Sequence, residues 1–504
     1  MTENKVFSKP TIELFNQWND KNIVYCHWKS SDHLEASFLA QTDLDVLVGR
    51  TSANEAIRVA LDCGFVELKS SHFRGYPSVR DFVQYDAELH RWVHLHFHTQ
   101  LECGDRWVKA YHLPIEDLVL KNRVKHKEYN LWNIAPDYEL LILIFRMNAK
   151  FKKNWLMDKK IQEEIKYIQS VANLYPSSIH EDLQHYLSEE GFELFDSLFA
   201  GNQDFSKLKI REFRREFKVR PFLRMSRSRF FFLSKLRYTY RVYTEVNRRY
   251  FKVYKSGRRT MLTGGLIFAF IGIDGSGKSS GIKRVEKFFA FHCNVQRNFL
   301  GSGKSGASLP RKLIMNIFGF KAKFKGHKEL KKQSAQEPSK TSKKASKGLK
   351  KPPIYYLIWN WMCTVDRARQ INRIRRGLAN GKLVFVDRWL QDNLEKGVDG
   401  PRLSAYLNYG GLTEKIARKE YQVYQEIKTI PLHKIIKLNI TPDKSVERKP
   451  GELTYEMAEE AIENLNKIQW PEHTKIANID ATQNIEKVTA EISKAIWSSM
   501  QEYK

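Results

Sequence analysis

The octapeptide Gly272-Ile273-Asp274-Gly275-Ser276-Gly277-Lys278-Ser279 constrains the fold of this chain more than any other feature, because it satisfies G-x-x-x-x-G-K-[ST] in full. It stands between Leu266–Ile271, an apolar run that suits a buried strand, and Ser280–Ala290, which suits a helix. A glycine-rich turn between strand and helix lets successive backbone N–H groups converge on phosphate oxygens at a helix N-terminus. There Lys278 neutralises phosphate charge and the Ser279 hydroxyl holds Mg²⁺. A second Gly-Ser-Gly-Lys-Ser, at Gly301–Ser305, has Asn298 where the first glycine belongs and no helical pattern directly after it, so it reads as coincidence.

The companions of a phosphate loop follow in order. Leu383–Asp387 is an apolar strand ending in a carboxylate able to reach Mg²⁺, with Arg388 next. Ile435–Ile440 is a further buried strand, and the basic turn Glu447-Arg448-Lys449-Pro450-Gly451 after it is able to close over phosphates. Ala477-Asn478-Ile479-Asp480-Ala481-Thr482 and a last helix end the chain. Strands alternating with helices predict a parallel α/β sheet.

With an Asp inside the loop, Asp387-Arg388, the segment Thr441-Pro442-Asp443…Glu447-Arg448-Lys449 and Ile479-Asp480-Ala481-Thr482, the stretch from about Gly264 to Trp497 resembles the thymidylate kinase family of nucleoside monophosphate kinases. The resemblance implies that the loop, Gly272 to Ser280, binds ATP phosphates and Mg²⁺ and that Asp274 touches the acceptor sugar. It implies that Asp387 and Arg388 organise metal and acceptor phosphate, and that Arg367 reads the acceptor base. Arg448 would be a lid arginine supplying transition-state charge, and Asp480, Ala481 and Thr482 would border the adenine. Three departures stand out: the Arg-x-Pro-Gly-Gly-Thr element is absent, Cys363 occupies the place of a stacking aromatic, and Trp389 replaces the usual Tyr or His after Asp-Arg.

The N-terminal part carries a second constellation. Thr42-Asp43-Leu44-Asp45-Val46-Leu47-Val48 sets two carboxylates on one face of a strand, where they can hold divalent metal against a triphosphate. With Tyr25–Ser31 upstream, the region from about Asn22 to Gln100 resembles the DNA polymerase β-like nucleotidyltransferase superfamily in its uncharacterised and aminoglycoside-type branches. That resemblance calls for a third carboxylate on a later strand. The fitting strand, Arg91–His98, offers His94, His96 and His98 on one face, with His94 at the acid's place. The domain reads as an altered or lost transferase, as an active one, or, least in keeping with the flanking pattern, as a lone Asp-x-Asp on a surface strand.

The chain of 504 residues has a formal net charge of +28, the excess lying in two segments. Lys207–Arg259 holds 19 Lys and Arg against three acids, and Lys304–Lys351 holds 15 against two, so the remainder is near neutral. The first is too aromatic for a disordered tail. It suits an anionic membrane surface, nucleic acid, or a helical hairpin packed between domains, nucleic acid ranking behind the membrane. The second, within 321–351, reads as a disordered loop. Five cysteines without a C-x-x-C pair point to a reducing cytoplasm, the polar opening Met1–Lys9 to no secretory leader, and the short apolar runs to no membrane span.

The expected organisation is α/β. An α+β nucleotidyltransferase-like domain (1–136) leads to a helical lobe (137–204), a basic aromatic linker (205–262) and a P-loop kinase domain (263–504) with a parallel sheet flanked by helices. The expected function is ATP- and Mg²⁺-dependent phosphotransfer to a nucleoside monophosphate or related acceptor. The alternatives are a nucleotide-gated protein peripheral to the membrane or in a surface-polysaccharide pathway, and an active nucleotidyltransferase.

Overall fold

In the computed structural model the described residues are 6–504 apart from 71–74, 77, 105–107, 151–154, 175–181, 183–186, 202–209, 219, 247–249, 251–258, 318–349 and 395–397. The Lys-rich insert expected at 321–351 thus falls almost wholly outside them. Contacts divide the chain into two compact units, 1–262 with 500–504, and 263–499.

In the first unit, β1 (Tyr25–His27), β2 (Leu44–Val48), β3 (Val66–Lys69), β4 (Val79–Asp86) and β5 (Arg91–His98) form the middle of a mixed sheet. A separate ribbon pairs β6 (Glu102–Cys103) with β7 (Tyr111–His112), and β8 (Val124–Lys125), β9 (Trp132–Asn133) and β10 (Thr260–Met261) extend the main sheet. Among the described residues its order is β10-β3-β4-β5-β2-β1-β9-β8. Strands β2 and β5 run parallel with Asp45 opposite His96, and β4 and β5 run antiparallel with Asp81 opposite His96. The period-2 alternation of β5 sends Val93, Leu95 and Phe97 into a core with Leu44, Val46 and Phe82. The three histidines therefore share the other face.

Helices Pro136–Ala149, Lys159–Ala172 and Glu189–Phe199 follow. Pro136 opens the first, where its missing N–H costs no hydrogen bond. The spacing of Leu140, Leu141, Ile144 and Phe145 predicts one apolar face, but the helix is buried on nearly every side and forms the centre of a core. Asp158 and Ser188 cap the next two by accepting from the Lys160 and Gly191 amides, each worth about 1 kcal/mol. Phe213 and Phe217, from the basic segment, join this core, and the buried Asn148 amide donates to the Phe213 carbonyl at 3.2 Å.

The second unit is built on β11 (Leu266–Ile271), β12 (Val295–Phe299), β13 (Leu383–Asp387), β14 (Lys434–Asn439) and β15 (Lys475–Asp480), all parallel, in the order β12-β13-β11-β14-β15. Strands β11 and β13 are buried along their whole length, as near-continuous apolar runs require when helices cover both faces. Among the described residues its longer helices are Lys278–Phe289, Ile354–Ala379, Gly411–Lys428, Tyr455–Asn466 and Ile485–Glu502. Among the described residues no helix is long and apolar enough to cross a membrane.

Candidate functional sites

The glycine-rich loop joins the C-terminal end of β11 to the helix Lys278–Phe289. Gly275 has φ +85°, and an added Cβ there would lie 2.8 Å from the Ser445 carbonyl oxygen, so both conformation and space demand glycine. Gly277, the residue before the helix, also has φ +85°, but nothing lies within 4 Å of where its Cβ would be. The space before this helix N-terminus is open. The Ser276 hydroxyl is buried without a hydrogen-bond partner among the described residues. The Lys278 ammonium is buried too and donates to the carbonyls of Gly272 at 2.8 Å and Ile273 at 2.7 Å. Burial, with the nearby Arg388 charge, pushes its pKa down to about 8 against the pull of Asp274 and Asp387.

Register brings the strand carboxylate to the loop, since Phe270 of β11 pairs with Asp387 of β13. The Ser279 hydroxyl donates to Asp387 Oδ2 at 3.1 Å, and Arg297 on β12 approaches the same oxygen at 3.2 Å. Arg388 holds φ +70°, a left-handed conformation that costs a non-glycine residue on the order of 1 kcal/mol and recurs at functional sites. Its guanidinium spans Asp274 at 2.7 Å and Asp399 at 3.3 Å. Asp399, outweighing burial, together with Asp274 raises the Arg388 pKa.

The helix Pro442–Arg448 is tied to the loop from its middle and its C-terminal end. Ser445 Oγ donates to the Asp274 carbonyl at 2.6 Å, and Arg448 Nη1 reaches the Gly275 carbonyl at 3.4 Å. Beside the loop lies a cleft of about 560 Å³ lined by Ser276, Ser280, Lys287, Arg448, Ala481 and Val488 among others. Asp480 Oδ1 accepts from the Thr482 amide at 2.9 Å and hydroxyl at 2.6 Å, a turn that turns Ala481 to the cleft wall. Open glycine backbone, an orphaned hydroxyl, a buried ammonium and a Ser–Asp pair fit a phosphate chain with a divalent cation.

The sequence-predicted residues Gly272, Asp274, Gly275, Ser276, Gly277, Lys278, Ser279, Ser280, Asp387, Arg388, Arg448, Asp480, Ala481 and Thr482 are thus gathered around one loop and cleft. Arg367 stands apart. It is buried, donating to the Leu300 carbonyl at 3.1 Å and the Tyr424 hydroxyl at 3.0 Å, with Glu420 at 3.8 Å. Cys363 is buried against Arg311, whose Nη1 lies 3.0 Å from its sulfur. Arg297 and Asp399 were not anticipated. The second Gly-Ser-Gly-Lys-Ser, placed after β12, gives only a short 3₁₀ turn at Lys304–Gly306.

In the first unit, Asp43 and Asp45 face the β5 histidines. His94 lies 2.8 Å from Asp43 and 3.1 Å from Asp81, and His96 lies 3.1 Å from Asp45 and 3.3 Å from Asp81. The third carboxylate beside Asp43 and Asp45 thus comes from β4, as Asp81, and not from β5. The hairpin signal was legible, because a turn at 87–90, closed by Asp86 Oδ1 accepting the Glu88 and Leu89 amides at 3.0 Å, sets Asp81 opposite His96. Two cations sit on the cluster, Lys29 at 2.7 Å from Asp45 and Arg259 at 2.9 Å from Asp81. Burial would lower the His96 pKa, but hydrogen bonds to Asp45 and Asp81 lift it to about 9. Burial would raise that of Asp43, but the bond and charge of His94 pull it down to about 2.

No family model matches the chain. Two curated proteins are similar to it, the uncharacterized ATP-binding protein YghR of Escherichia coli strain K12 and its counterpart in strain O6:H1. Each is 26% identical over 233 residues, covering 46% of this chain and 86% of the relative.

Proposed function

We propose that the second unit is an ATP- and Mg²⁺-dependent phosphotransferase of the thymidylate kinase type, acting on a nucleoside monophosphate or a related phosphate-bearing acceptor. The observation that carries this is the open glycine cradle with Lys278, Ser279 and Asp387 converging on it, joined by a resemblance to proteins named for ATP binding. The loop amides, Lys278 and Arg448 would hold the triphosphate, Ser279 and Asp387 the Mg²⁺, and the cleft beside Ala481 the adenine. Bound Mg²⁺ supplies charge neutralisation. This chain's own contribution is positioning: Arg388, clamped by Asp274 and Asp399, is set to orient acceptor phosphate, and low local dielectric strengthens each of these charges. Buried Cys363, buried Trp389 and the internal bonds of Arg367 differ from a thymidine pocket, which leaves the acceptor wider than thymidine monophosphate. Calorimetric titration with MgATP tests the reading. Wild type is expected to bind and Lys278→Ala to lose binding with its melting temperature kept; equal binding by both would sink it.

The domain division we propose is 1–136, 137–204, 205–262 and 263–504, with the first an altered nucleotidyltransferase whose Asp45 and Asp81 already carry Lys29 and Arg259. A second reading, docking of the segment 207–259 on an anionic membrane from the cytoplasmic side, has its own observation. On the helix Arg227–Val246 the exposed Phe231, Phe232, Leu236, Tyr238, Val242 and Tyr243 fall within roughly 160° of the circumference at 100° per residue. Exposed Arg227, Arg229 and Lys235 accompany them, which suits acidic lipid. Co-sedimentation with anionic but not neutral vesicles, weakened in Phe231→Ser/Phe232→Ser, is expected; equal binding to neutral vesicles, or none, refutes it.

A further inference from the structure

The face of β5 that lies against Asp45 carries His98, whose imidazole approaches Asp45 without completing a hydrogen bond among the described residues. His98 is fully buried, and neither ring nitrogen has a hydrogen-bond partner among the described residues. Its Nε2 points at Asp45 Oδ1, 3.5 Å away, while Trp28 packs edge-on against the ring at 5.1 Å between centroids. An orphaned buried imidazole costs about 1–3 kcal/mol, so it calls for a ligand. His94 differs, with both ring nitrogens bonded to Asp43 and Asp81.

We propose that Asp45, His96 and His98 form a binding site for one divalent first-row transition cation, of the zinc or cobalt kind. The three side chains come together by register, since β2 and β5 pair Asp45 with His96 and Leu47 with His98. One ligand atom from each lies within 4.8 Å of the other two. The Asp45 oxygen stands 3.1 Å from His96 Nδ1 and 3.5 Å from His98 Nε2. Two atoms each about 2.0–2.1 Å from a tetrahedral ion are separated by about 3.3 Å, so the two edges that meet at the Asp45 oxygen already match such a polyhedron.

The donor set decides the class of ion. Mg²⁺ demands near-octahedral oxygen ligands, whereas two imidazoles with one carboxylate suit Zn²⁺, Co²⁺ or Fe²⁺. The half-exposed Asp43 borders the site, its Oδ2 3.8 Å from His96 Nδ1. Lys29 is the competitor. Its ammonium rests 2.7 Å from the same Asp45 oxygen, where it offsets the carboxylate charge until a divalent ion displaces it. This inference is independent of the nucleotide reading of the second unit.

The test uses the full chain, stripped with chelator and titrated with Co²⁺, reading visible d–d absorption and bound metal after gel filtration. One equivalent is expected, without the thiolate charge-transfer band that adventitious cysteine binding would give. A tenfold excess of Mg²⁺, on the order of a weak oxygen-site competitor, should not displace it. Affinity should fall at least about 100-fold in both His98→Ala and the near-isosteric Asp45→Asn, rise in Lys29→Met, and stay unchanged in Lys278→Ala. Asp45→Asn keeps the test valid should His98→Ala fail to fold. No stoichiometric Co²⁺ uptake, displacement by Mg²⁺, or full uptake by a folded Asp45→Asn protein overturns the proposal.

Discussion

Gly277→Ala separates what the phosphate loop needs for folding from what it needs for its ligand. Gly277 has φ +85° with nothing within 4 Å of an added Cβ. Substitution therefore creates no clash in the free protein, and its cost there is the left-handed strain of an L residue, about 1–2 kcal/mol. Gly410 is the control outside the loop, with φ +91° and equally empty surroundings, though its ψ of 161° lies in a region that glycine alone adopts readily. Both substitutions should lower the melting temperature of the second unit, Gly410→Ala by the larger amount, at about 2–4 °C per kcal/mol for a unit of this size. Binding should divide them. The Gly277 methyl enters the space a phosphate must share with the loop amides, and displacing one or two charge-assisted hydrogen bonds costs about 2–4 kcal/mol, or roughly 30- to 1000-fold in MgATP affinity. Gly410→Ala should bind like wild type. The assay is calorimetric titration beside thermal melts of the three proteins. Wild-type affinity in Gly277→Ala, or equal losses in both variants, would refute the reasoning that this open space is a phosphate cradle.

Three further outcomes follow from particular residues. Burial raises the Glu139 carboxyl to about 7, against an ordinary 4.5, while its Oε1 accepts the Ser31 amide at 2.9 Å. Because the folded state holds the proton more tightly, ionised Glu139 destabilises the fold above pH 7 and the penalty fades as pH falls towards 4.5. Glu139→Gln should thus stabilise the first unit by about 3 kcal/mol at pH 8 and under about 1 kcal/mol at pH 5, and a pH-independent shift in the thermal melt would contradict this. Phe213→Ala should cost about 3–5 kcal/mol in chemical denaturation, since the ring is fully buried against Trp155; a surface-like loss under about 0.5 kcal/mol would remove it from the core. Arg388→Met should lower phosphoryl-transfer turnover about 100- to 1000-fold with MgATP affinity little changed, and an affinity loss of the same size would place its role in nucleotide binding.

The parts of the molecule legible in the sequence are those specified by neighbours along the chain. The phosphate loop, its strand and its helix are contiguous, and Asp387 was marked by the apolar run it terminates. The alternation of Val93, Leu95 and Phe97 with three histidines announced a two-faced strand. Groups supplied by pairing across strands were harder. Asp81 enters through the β4–β5 hairpin, Arg259 through the segment leading into the edge strand β10, and Arg297 through the parallel neighbour of Asp387. Each looks like an ordinary surface residue until the register is known. Helix Pro136–Ala149 exposed a related limit, because four apolar positions suggested one buried face, whereas helices and strands surround it and bury even Asp137 and Glu139. Phe213 and Phe217 were read as part of a linker since the basic residues around them dominate the composition, yet the aromatic rings go inward while the charges stay in water.

The central claim is phosphoryl transfer by the second unit, and the most direct measurement is a screen of terminally labelled ATP against nucleoside monophosphates and other phosphate-bearing acceptors. Mg²⁺-dependent passage of label to at least one acceptor is expected, abolished in a folded Lys278→Ala protein. Label that reaches no acceptor while MgATP binds normally, or transfer that survives in Lys278→Ala, would contradict it.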